Sequence, residues 1–238
     1  MTGFFIAIGF LTRLPVPQMG AFSIERLAQS MRWFPLVGVL IGVIVAGAAW
    51  LGARVDPWTG ALAGLIVWVG ITGALHIDGL ADLTDALGAA HRDRARLLTV
   101  MSDPHIGSFG VVAIGLQLIA KLVLLHAVIE KGAWIALALI PFAARIGPLA
   151  WAHWLTPLQE GLGAHFTKAI RARDLIGWGA VLAGATVFCP ALIAAPLLMA
   201  HFGFWLQLRL GGISGDCHGA GIELVETGLL LALILTLL

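Results

Sequence analysis

The sequence has few charged residues and almost no cysteine. Charged residues make up 11% of the 238, against about 25% in soluble globular domains, while hydrophobic residues reach 60%. The formal net charge of +1 argues against a surface that binds nucleic acid. Cys189 and Cys217 fall on opposite sides of the membrane in the topology inferred below, so they cannot pair within the chain, and neither belongs to a zinc-binding pattern.

The sequence also lacks an internal repeat, a low-complexity segment and a second, soluble domain. Its long apolar runs are each close to the roughly 20 residues that cross a bilayer as a helix. We therefore predict an all-α, polytopic membrane helical bundle, a single domain over residues 1–238 with about seven spans. The predicted spans are 33–53, 58–76, 108–129, 132–152, 174–189, 190–209 and 219–238.

The N-terminal apolar segment, residues 4–11, is too short to cross a bilayer. No basic region precedes it, and Arg13 follows it, which is the wrong flank for a signal peptide. We expect an interfacial or re-entrant helix here that is not cleaved, with a short eighth span as the alternative.

The number of basic residues alternates between high and low from one predicted loop to the next. Ten lysines and arginines lie on one side and only Arg54 and Lys131 on the other. Positive charge marks cytoplasmic loops. The pattern predicts a multi-pass membrane protein with the unusual polar residues on the cytoplasmic side.

Three aspartates follow the second predicted span. Asp78, Asp82 and Asp85 are spaced i, i+4, i+7, which on a helix places them within an arc of about 60°. Like charges on one helix face repel each other and are costly at a bilayer edge unless something neutralises them. Oxygen-only ligands favour Mg²⁺, so this face predicts a magnesium site, with a solvated helix end as the alternative.

Two glycine-containing segments carry further polar residues. The segment 101–110 contains Asp103 and His105 before a predicted span, and a glycine-rich turn at a helix N-terminus suits a phosphate as well as an ordinary cap. The segment 211–221 contains Gly211, Gly212 and Asp216 and is followed by Glu223. It is typical of a binding loop or of a contact between membrane helices.

Two basic residues, Lys121 and Arg145, lie inside predicted spans. Intramembrane charges are costly and are functional by default, and two cations opposite a metal-binding acidic face suit a pyrophosphate. A salt bridge with an acidic residue is the structural alternative.

Together these motifs resemble the cobalamin synthase family, the adenosylcobinamide-GDP ribazoletransferases. The similar blocks run in the family's order over nearly the whole chain: Phe10–Pro17, Phe34–Gly38, His76–Asp82 with Asp85, Met101 and Asp103 with Gly107 and Gly110, Lys121, Arg145, Glu160–Gly163, and Gly211–Asp216 with Glu223 and Glu226. His105 stands where other members often carry arginine, so a phosphate contact there would depend on pH.

The resemblance implies that adenosylcobinamide-GDP reacts with α-ribazole or its 5′-phosphate, giving adenosylcobalamin or its phosphate and releasing GMP. Mg²⁺ on Asp78, Asp82 and Asp85 would neutralise the pyrophosphate. The candidate catalytic residues are Asp82, Asp103 and Asp216. The candidate substrate-binding residues are His76, His105, Lys121, Arg145, Glu160, Gly211, Gly212 and Glu223. Three points stay open: which residue is the catalytic general base, which nitrogenous base the nucleoside carries, and whether the protein forms homo-oligomers.

Three other classes compete with this interpretation. A CDP-alcohol phosphotransferase also uses an aspartate-rich helix, but its Asp-Gly-x₂-Ala-Arg opening and its widely spaced later aspartates are missing. A cation transporter would need acidic residues near the midplane, whereas these collect at one interface. A structural subunit would leave the glycine-rich segments unexplained.

Overall fold

In a computed structural model, which describes residues 2–17, 23–90, 93–159 and 162–237, the chain is almost entirely helical. The described residues form thirteen α-helices and two short 3₁₀ helices, Met31–Trp33 and Pro190–Ile193. The α-helices are α1 (Thr2–Leu11), α2 (Ile24–Ser30), α3 (Phe34–Gly52), α4 (Pro57–Thr72), α5 (Leu75–Ala90), α6 (Arg94–Met101), α7 (Ser108–Glu130), α8 (Trp134–Ala144), α9 (Gly147–Trp154), α10 (Leu162–Ala169), α11 (Ala172–Ala185), α12 (Ala194–Arg209) and α13 (Gly215–Thr236).

Within the described residues, five helical stretches are long and apolar enough to cross a membrane: Ile24–Gly52, Ser108–Glu130, Trp134–Trp154, Pro190–Arg209 and Gly215–Thr236. The bent pair α4 and α5 adds a sixth if it counts as one span. Large apolar side chains on these helices point outward, as lipid-facing residues do; Leu116 and Leu197 are 64% and 71% exposed. The predicted polytopic all-α fold is confirmed.

Two of the apolar segments lie on helices that are shorter than a typical membrane span. The segment predicted as a span at 174–189 lies mostly on α11, which has only 14 residues, fewer than the roughly 20 that cross a bilayer. The N-terminal helix α1 has 10 residues and is likewise a short apolar helix. The count of seven spans stays a prediction, as does the interfacial position of α1.

A sharp bend separates α4 from α5. Gly73 and Ala74 both adopt left-handed backbone conformations, with φ angles of 61° and 60°. The two helix axes meet at an angle of 83°. As a result α5 does not continue the direction of α4 but turns across it, and its acidic face packs near the N-terminus of α13.

Small residues let α5 and α13 approach each other closely. A Cβ atom added to Gly79 would lie 2.7 Å from the carbonyl oxygen of Asp216, and one added to Gly219 would lie 3.2 Å from the Cα atom of His76. Glycine is therefore needed on both helices at this contact. The interface joins two sequence motifs that are more than a hundred residues apart along the chain.

Candidate active site

Four carboxylates converge where α5 meets the beginning of α13. The Asp82 carboxylate interacts electrostatically with those of Asp78, Asp85 and Asp216, and Asp216 also interacts with Asp78. Asp78 is exposed, whereas Asp82 and Asp216 are partly buried. Within the described part of the chain, no lysine or arginine forms an ion pair with Asp78, Asp82 or Asp216. The site therefore concentrates negative charge that no lysine or arginine of the described residues compensates by an ion pair.

The N-terminal cap of α13 fixes the backbone around Asp216. Ser214 is the N-cap, and its hydroxyl accepts a hydrogen bond of 3.2 Å from the Cys217 N–H. Asp216 then falls in the first turn, where the helix dipole favours a negative charge.

The glycines that precede this cap contact the chain itself. Gly211 has a φ of 71°, and its carbonyl accepts a hydrogen bond of 3.1 Å from the Thr156 hydroxyl. Gly212 is buried, and a Cβ atom there would clash with the Thr156 carbonyl and lie 3.2 Å from Leu158. Ile213 then pairs with residues 156 to 158 by backbone hydrogen bonds. The segment positions Asp216, and direct contact of Gly211 or Gly212 with substrate stays a prediction.

Asp85 has a different environment from the other aspartates of α5. Its two carboxylate oxygens accept backbone hydrogen bonds from Gly107, at 2.7 Å, and from Gly110, at 2.9 Å. A Cβ atom on Gly107 would lie 2.9 Å from the Asp85 carboxyl carbon, so a larger residue there would displace the carboxylate. Asp85 therefore satisfies N–H groups at the start of α7 that would otherwise lack partners, and it ties the 101–110 segment to α5.

Asp103 and His105 lie in the exposed loop between α6 and α7. The Asp103 carboxylate accepts a hydrogen bond of 3.0 Å from the His105 N–H and lies 2.7 Å from its ring Nδ1. The backbone hydrogen bond, followed by the ring contact, lowers the pKa of Asp103 below its ordinary value. Their side chains are 51% and 89% exposed, so both face solvent. Glu160, another predicted site residue, lies outside the described residues.

The intramembrane cations belong to a buried network of ion pairs. Lys121 Nζ lies 2.7 Å from Glu223 and 2.6 Å from Glu226, and it sits 4.3 Å from the centre of the Trp68 ring. Arg145 Nη1 lies 2.7 Å from the other oxygen of Glu226. All four charged side chains are between 0% and 3% exposed.

Two positive and two negative charges balance in this network. The structure thus places Lys121 and Arg145 in the salt-bridge arrangement that the sequence left as the alternative. Contact of Lys121, Arg145 or Glu223 with a phosphate group stays a prediction, and it would require the opening of these ion pairs.

His76 connects this network to a cavity. Its ring Nδ1 lies 3.4 Å from Arg145 Nη2, and its Nε2 is buried with no hydrogen-bond partner in the described part of the chain. The cavity, of about 200 Å³, lies between α1, α5, α10 and α13 and contains the carboxylates of Asp78 and Asp216 in its wall. The predicted substrate-binding residue His76 therefore does lie next to the acidic site.

The sequence analysis did not identify His218, which lies in the same cavity wall. The residue is 6% exposed, and neither ring nitrogen has a hydrogen-bond partner among the described residues. The one signal in the sequence was its position within the glycine-rich segment, two residues after Asp216. Gln117 was also missed; it donates a hydrogen bond of 2.8 Å to Glu223 from inside a span.

The fold and this site define a multi-pass helical membrane protein with an acidic site at one end of its bundle. The chain belongs to the cobalamin-5-phosphate synthase family, whose model matches residues 3–234. It is 61% identical to a protein of Novosphingobium aromaticivorans over 99% of this chain and 97% of the relative. It is 49% identical to a protein of Thiobacillus denitrificans, over 97% of this chain and 94% of that relative. Both relatives are named adenosylcobinamide-GDP ribazoletransferase. No solved structure matches the chain.

Proposed function

We propose that this protein joins adenosylcobinamide-GDP to α-ribazole or its 5′-phosphate in a Mg²⁺-dependent reaction, forming adenosylcobalamin or its phosphate and releasing GMP. The observation that carries the proposal is the proximity of Asp78, Asp82 and Asp216 where α5 meets α13, with Asp85 on the same helix α5. The names of relatives that match nearly the whole chain support the same substrates.

The donor set suits Mg²⁺. Across the described residues, no three or more histidine, cysteine, aspartate or glutamate side chains are grouped closely enough to hold a metal ion by themselves. Mg²⁺, however, keeps several waters and commonly uses one or two carboxylates together with substrate phosphates. Asp78 and Asp82 would hold it, with Asp85 beside them, because their charge is uncompensated. Bound there, the ion would neutralise the pyrophosphate and the departing GMP.

The protein's own groups supply positioning and proton transfer. A ribose hydroxyl oxygen forms a bond to the phosphorus on the cobinamide side, the bond from that phosphorus to the GMP oxygen breaks, and GMP takes the bonding electrons. Asp216 and Asp82 are the candidates that accept the hydroxyl proton. Asp216 is held in place by the capped start of α13, so it has a fixed position relative to α5. Phosphoryl transfer requires mainly such positioning and charge neutralisation.

The site is proposed to face the cytoplasm of a bacterial inner membrane. Of the twelve lysines and arginines that lie between or at the ends of the predicted spans, ten are on the side of the acidic site. This bias is the one that marks cytoplasmic loops.

A turnover assay tests the function. The purified protein in lipid nanodiscs receives adenosylcobinamide-GDP, α-ribazole and Mg²⁺, and both GMP release and cobalamin formation are measured. We expect the two products in equal amounts, loss of both after chelation of divalent ions, and recovery on addition of Mg²⁺. GMP release without cobalamin formation, or turnover that withstands chelation, would contradict the proposal.

A further inference from the structure

A second cleft lies between α11 and the 3₁₀ helix that precedes α3. Its volume of about 340 Å³ falls within the range of ligand-binding pockets, roughly 300–1,000 Å³. A hydrogen bond of 2.8 Å from Trp178 Nε1 to the carbonyl oxygen of Arg32 joins its two sides. The cleft shares no lining residue with the cavity that contains Asp78 and Asp216, so it is separate from the acidic site.

The cleft is charged at one end and apolar at the other. Arg173, Gly177 and Val181 line it at intervals of four residues, so they follow one face of α11 for about 12 Å. Arg173 lies in the first turn of α11, and Arg32 contributes a second guanidinium to the wall. The other end has only the hydrogen of Gly177 and the side chain of Val181. A ligand that fills the cleft therefore needs both a polar and an apolar part.

The two arginines favour an anion at the charged end. Both are exposed, and neither forms an ion pair with another described residue. Arg173 lies at the N-terminal end of α11, where the helix dipole disfavours a positive charge. Asp174 is the one acidic residue of the wall, and its carboxylate accepts a hydrogen bond of 3.1 Å from the Arg171 N–H. Two positive charges against one negative leave the wall with excess positive charge.

The aromatic residues of the cleft indicate its depth in the membrane. Trp33 and Trp178 line it, and indole rings concentrate where a span meets the water. The helix α3, part of a stretch long enough to cross a membrane, begins directly after Trp33. On α11, Ile176 is 73% exposed and points away from the bundle. The apolar end of the cleft thus adjoins a surface suited to hydrocarbon.

We infer that this cleft binds one anionic phospholipid, with its phosphate between Arg32 and Arg173 and the upper part of an acyl chain along Gly177 and Val181. Basic pockets between membrane helices bind lipid headgroups in this way, and the guanidinium fork matches phosphate oxygens. A free phosphate would leave the apolar end empty, and a zwitterionic lipid would bring its own cation to two arginines. The inference goes beyond the proposed function and does not depend on it.

Binding of phosphatidylglycerol to the purified protein in detergent is measured by native mass spectrometry, without either substrate. We expect Arg32→Gln and Arg173→Gln each to raise Kd about tenfold, the effect of one lost charge-assisted hydrogen bond. Arg209→Gln is the matched control, because Arg209 is an exposed arginine at the end of α12 and lies outside the cleft. Phosphatidylcholine should bind the wild type at least about tenfold more weakly than phosphatidylglycerol.

The apolar end is tested by a matched pair of glycine variants. A Cβ atom on Gly177 or on Gly179 meets no other atom within 4 Å, and only Gly177 lines the cleft. Gly177→Leu should raise Kd for phosphatidylglycerol about tenfold by filling the place of the acyl chain, while Gly179→Leu should bind as the wild type does. Glycerol phosphate, which has no acyl chain to bury, should bind more than about 100-fold more weakly than the lipid.

Thermal stability separates lipid binding from a purely structural role of Arg173. A ligand that binds only the folded protein raises the melting temperature. Phosphatidylglycerol should therefore raise the melting temperature of the wild type more than phosphatidylcholine does, and Arg173→Gln should lose this difference. In lipid-free detergent Arg173→Gln should melt no lower than the wild type, because the charge it removes opposes the helix dipole.

Three results would overturn the inference. If Arg32→Gln and Arg173→Gln bind phosphatidylglycerol as Arg209→Gln does, the arginines serve only to set the topology of the chain. Equal affinity for phosphatidylglycerol and phosphatidylcholine would exclude selection of a negative charge. Unchanged affinity of Gly177→Leu, or glycerol phosphate binding as tightly as the lipid, would exclude the acyl chain from the cleft. Because no substrate is present, none of these results depends on whether the protein forms cobalamin.

Discussion

Single residues of the acidic site have distinct environments, and these predict distinct mutational effects. Asp82 interacts with three other carboxylates and has no basic partner in the described chain. Asp82→Asn removes one source of repulsion between the carboxylates, and it removes one oxygen of the ligands proposed for Mg²⁺. We expect turnover to fall roughly 10²-fold, the scale for removing one group that stabilises transition-state charge, with the melting temperature unchanged or raised.

The control for this variant is Asp56→Asn. Asp56 caps α4 away from the site, and asparagine caps a helix as well as aspartate does, so this variant should behave as the wild type. Normal turnover of Asp82→Asn would remove Asp82 from the proposed site.

Asp85 is expected to behave differently from Asp82. Both of its oxygens accept backbone N–H groups, and asparagine offers one oxygen and one NH₂ group in the same place. In Asp85→Asn the side-chain NH₂ group would face one of the two backbone N–H groups, so that buried N–H would have no acceptor. Such an unpartnered group costs about 1–3 kcal/mol. We expect a lowered melting temperature together with lowered turnover. A variant with normal thermal stability would contradict the structural role of Asp85.

Arg145 is expected to stabilise the fold. Breaking a buried ion pair by removal of one partner costs about 3–5 kcal/mol, because the other charge stays buried and unpaired. Arg145→Met should therefore melt at a lower temperature, and the addition of Glu226→Gln should recover part of the loss. Arg54→Met, at an exposed arginine outside the network, serves as control. An unchanged melting temperature with a raised KM for adenosylcobinamide-GDP would instead support phosphate binding by Arg145.

At the scale of elements, the bend between α4 and α5 depends on two adjacent left-handed residues. Ala74 adopts this conformation despite its Cβ atom, at a cost of roughly 1–2 kcal/mol. Ala74→Gly removes that cost but adds conformational entropy to the unfolded chain, so we expect a change between zero and about 1 kcal/mol of stabilisation with turnover retained.

Gly73→Ala is the opposite change. A Cβ atom at Gly73 would clash with Nε of Arg13 and lie 3.0 Å from its Cγ, and alanine would also be strained at this φ. We expect a loss of at least about 1–2 kcal/mol, measured as a lowered melting temperature. If both variants melt at the same temperature as the wild type, the bend is not fixed by these backbone conformations.

Helices were well predicted from the sequence where an apolar run coincided with a straight helix. The apolar runs 108–129 and 190–209 lie on the helical stretches Ser108–Glu130 and Pro190–Arg209, and their role as membrane spans stays a prediction. The segment 174–189 lies mostly on α11, which is shorter than a typical span, so its prediction as a span stays a prediction. The angle between α4 and α5 was not predictable either, since one of its two left-handed residues is an alanine.

The sequence identified several polar residues of the candidate site, but it did not predict which residues contact each other. The aspartate spacing and the glycine-rich segments identified Asp78, Asp82 and Asp216 as polar residues of one membrane face. The sequence did not predict the partners of Lys121, because Glu226 is 105 residues away and ion pairs over that separation depend on the packing of α7 against α13. His218 was missed because a single histidine in an apolar run carries no spacing pattern.

For the whole molecule, the charge bias predicts that the acidic site faces the cytoplasm. Cysteines introduced at Ala95 and Ala164, on the side rich in lysine and arginine, should resist a membrane-impermeant thiol reagent in intact cells. A cysteine at Val55, on the opposite side and 77% exposed, should react. Cys189 and Cys217 are buried, so background labelling should be low. Labelling at Ala95 and Ala164 but not at Val55 would reverse the proposed orientation.

The buried ion pairs also have a consequence for biosynthesis. Arg145 and Lys121 precede Glu226 by 81 and 105 residues, so translation produces both cations long before their partner. At about 5–20 residues per second, Lys121 waits roughly 5–20 s for α13 to emerge from the ribosome. During that interval each unpaired cation carries an insertion cost of about 2.5–3.5 kcal/mol. We therefore expect nascent chains that stop before α13 to be held at the translocon or degraded, so that no partly assembled form accumulates in the bilayer.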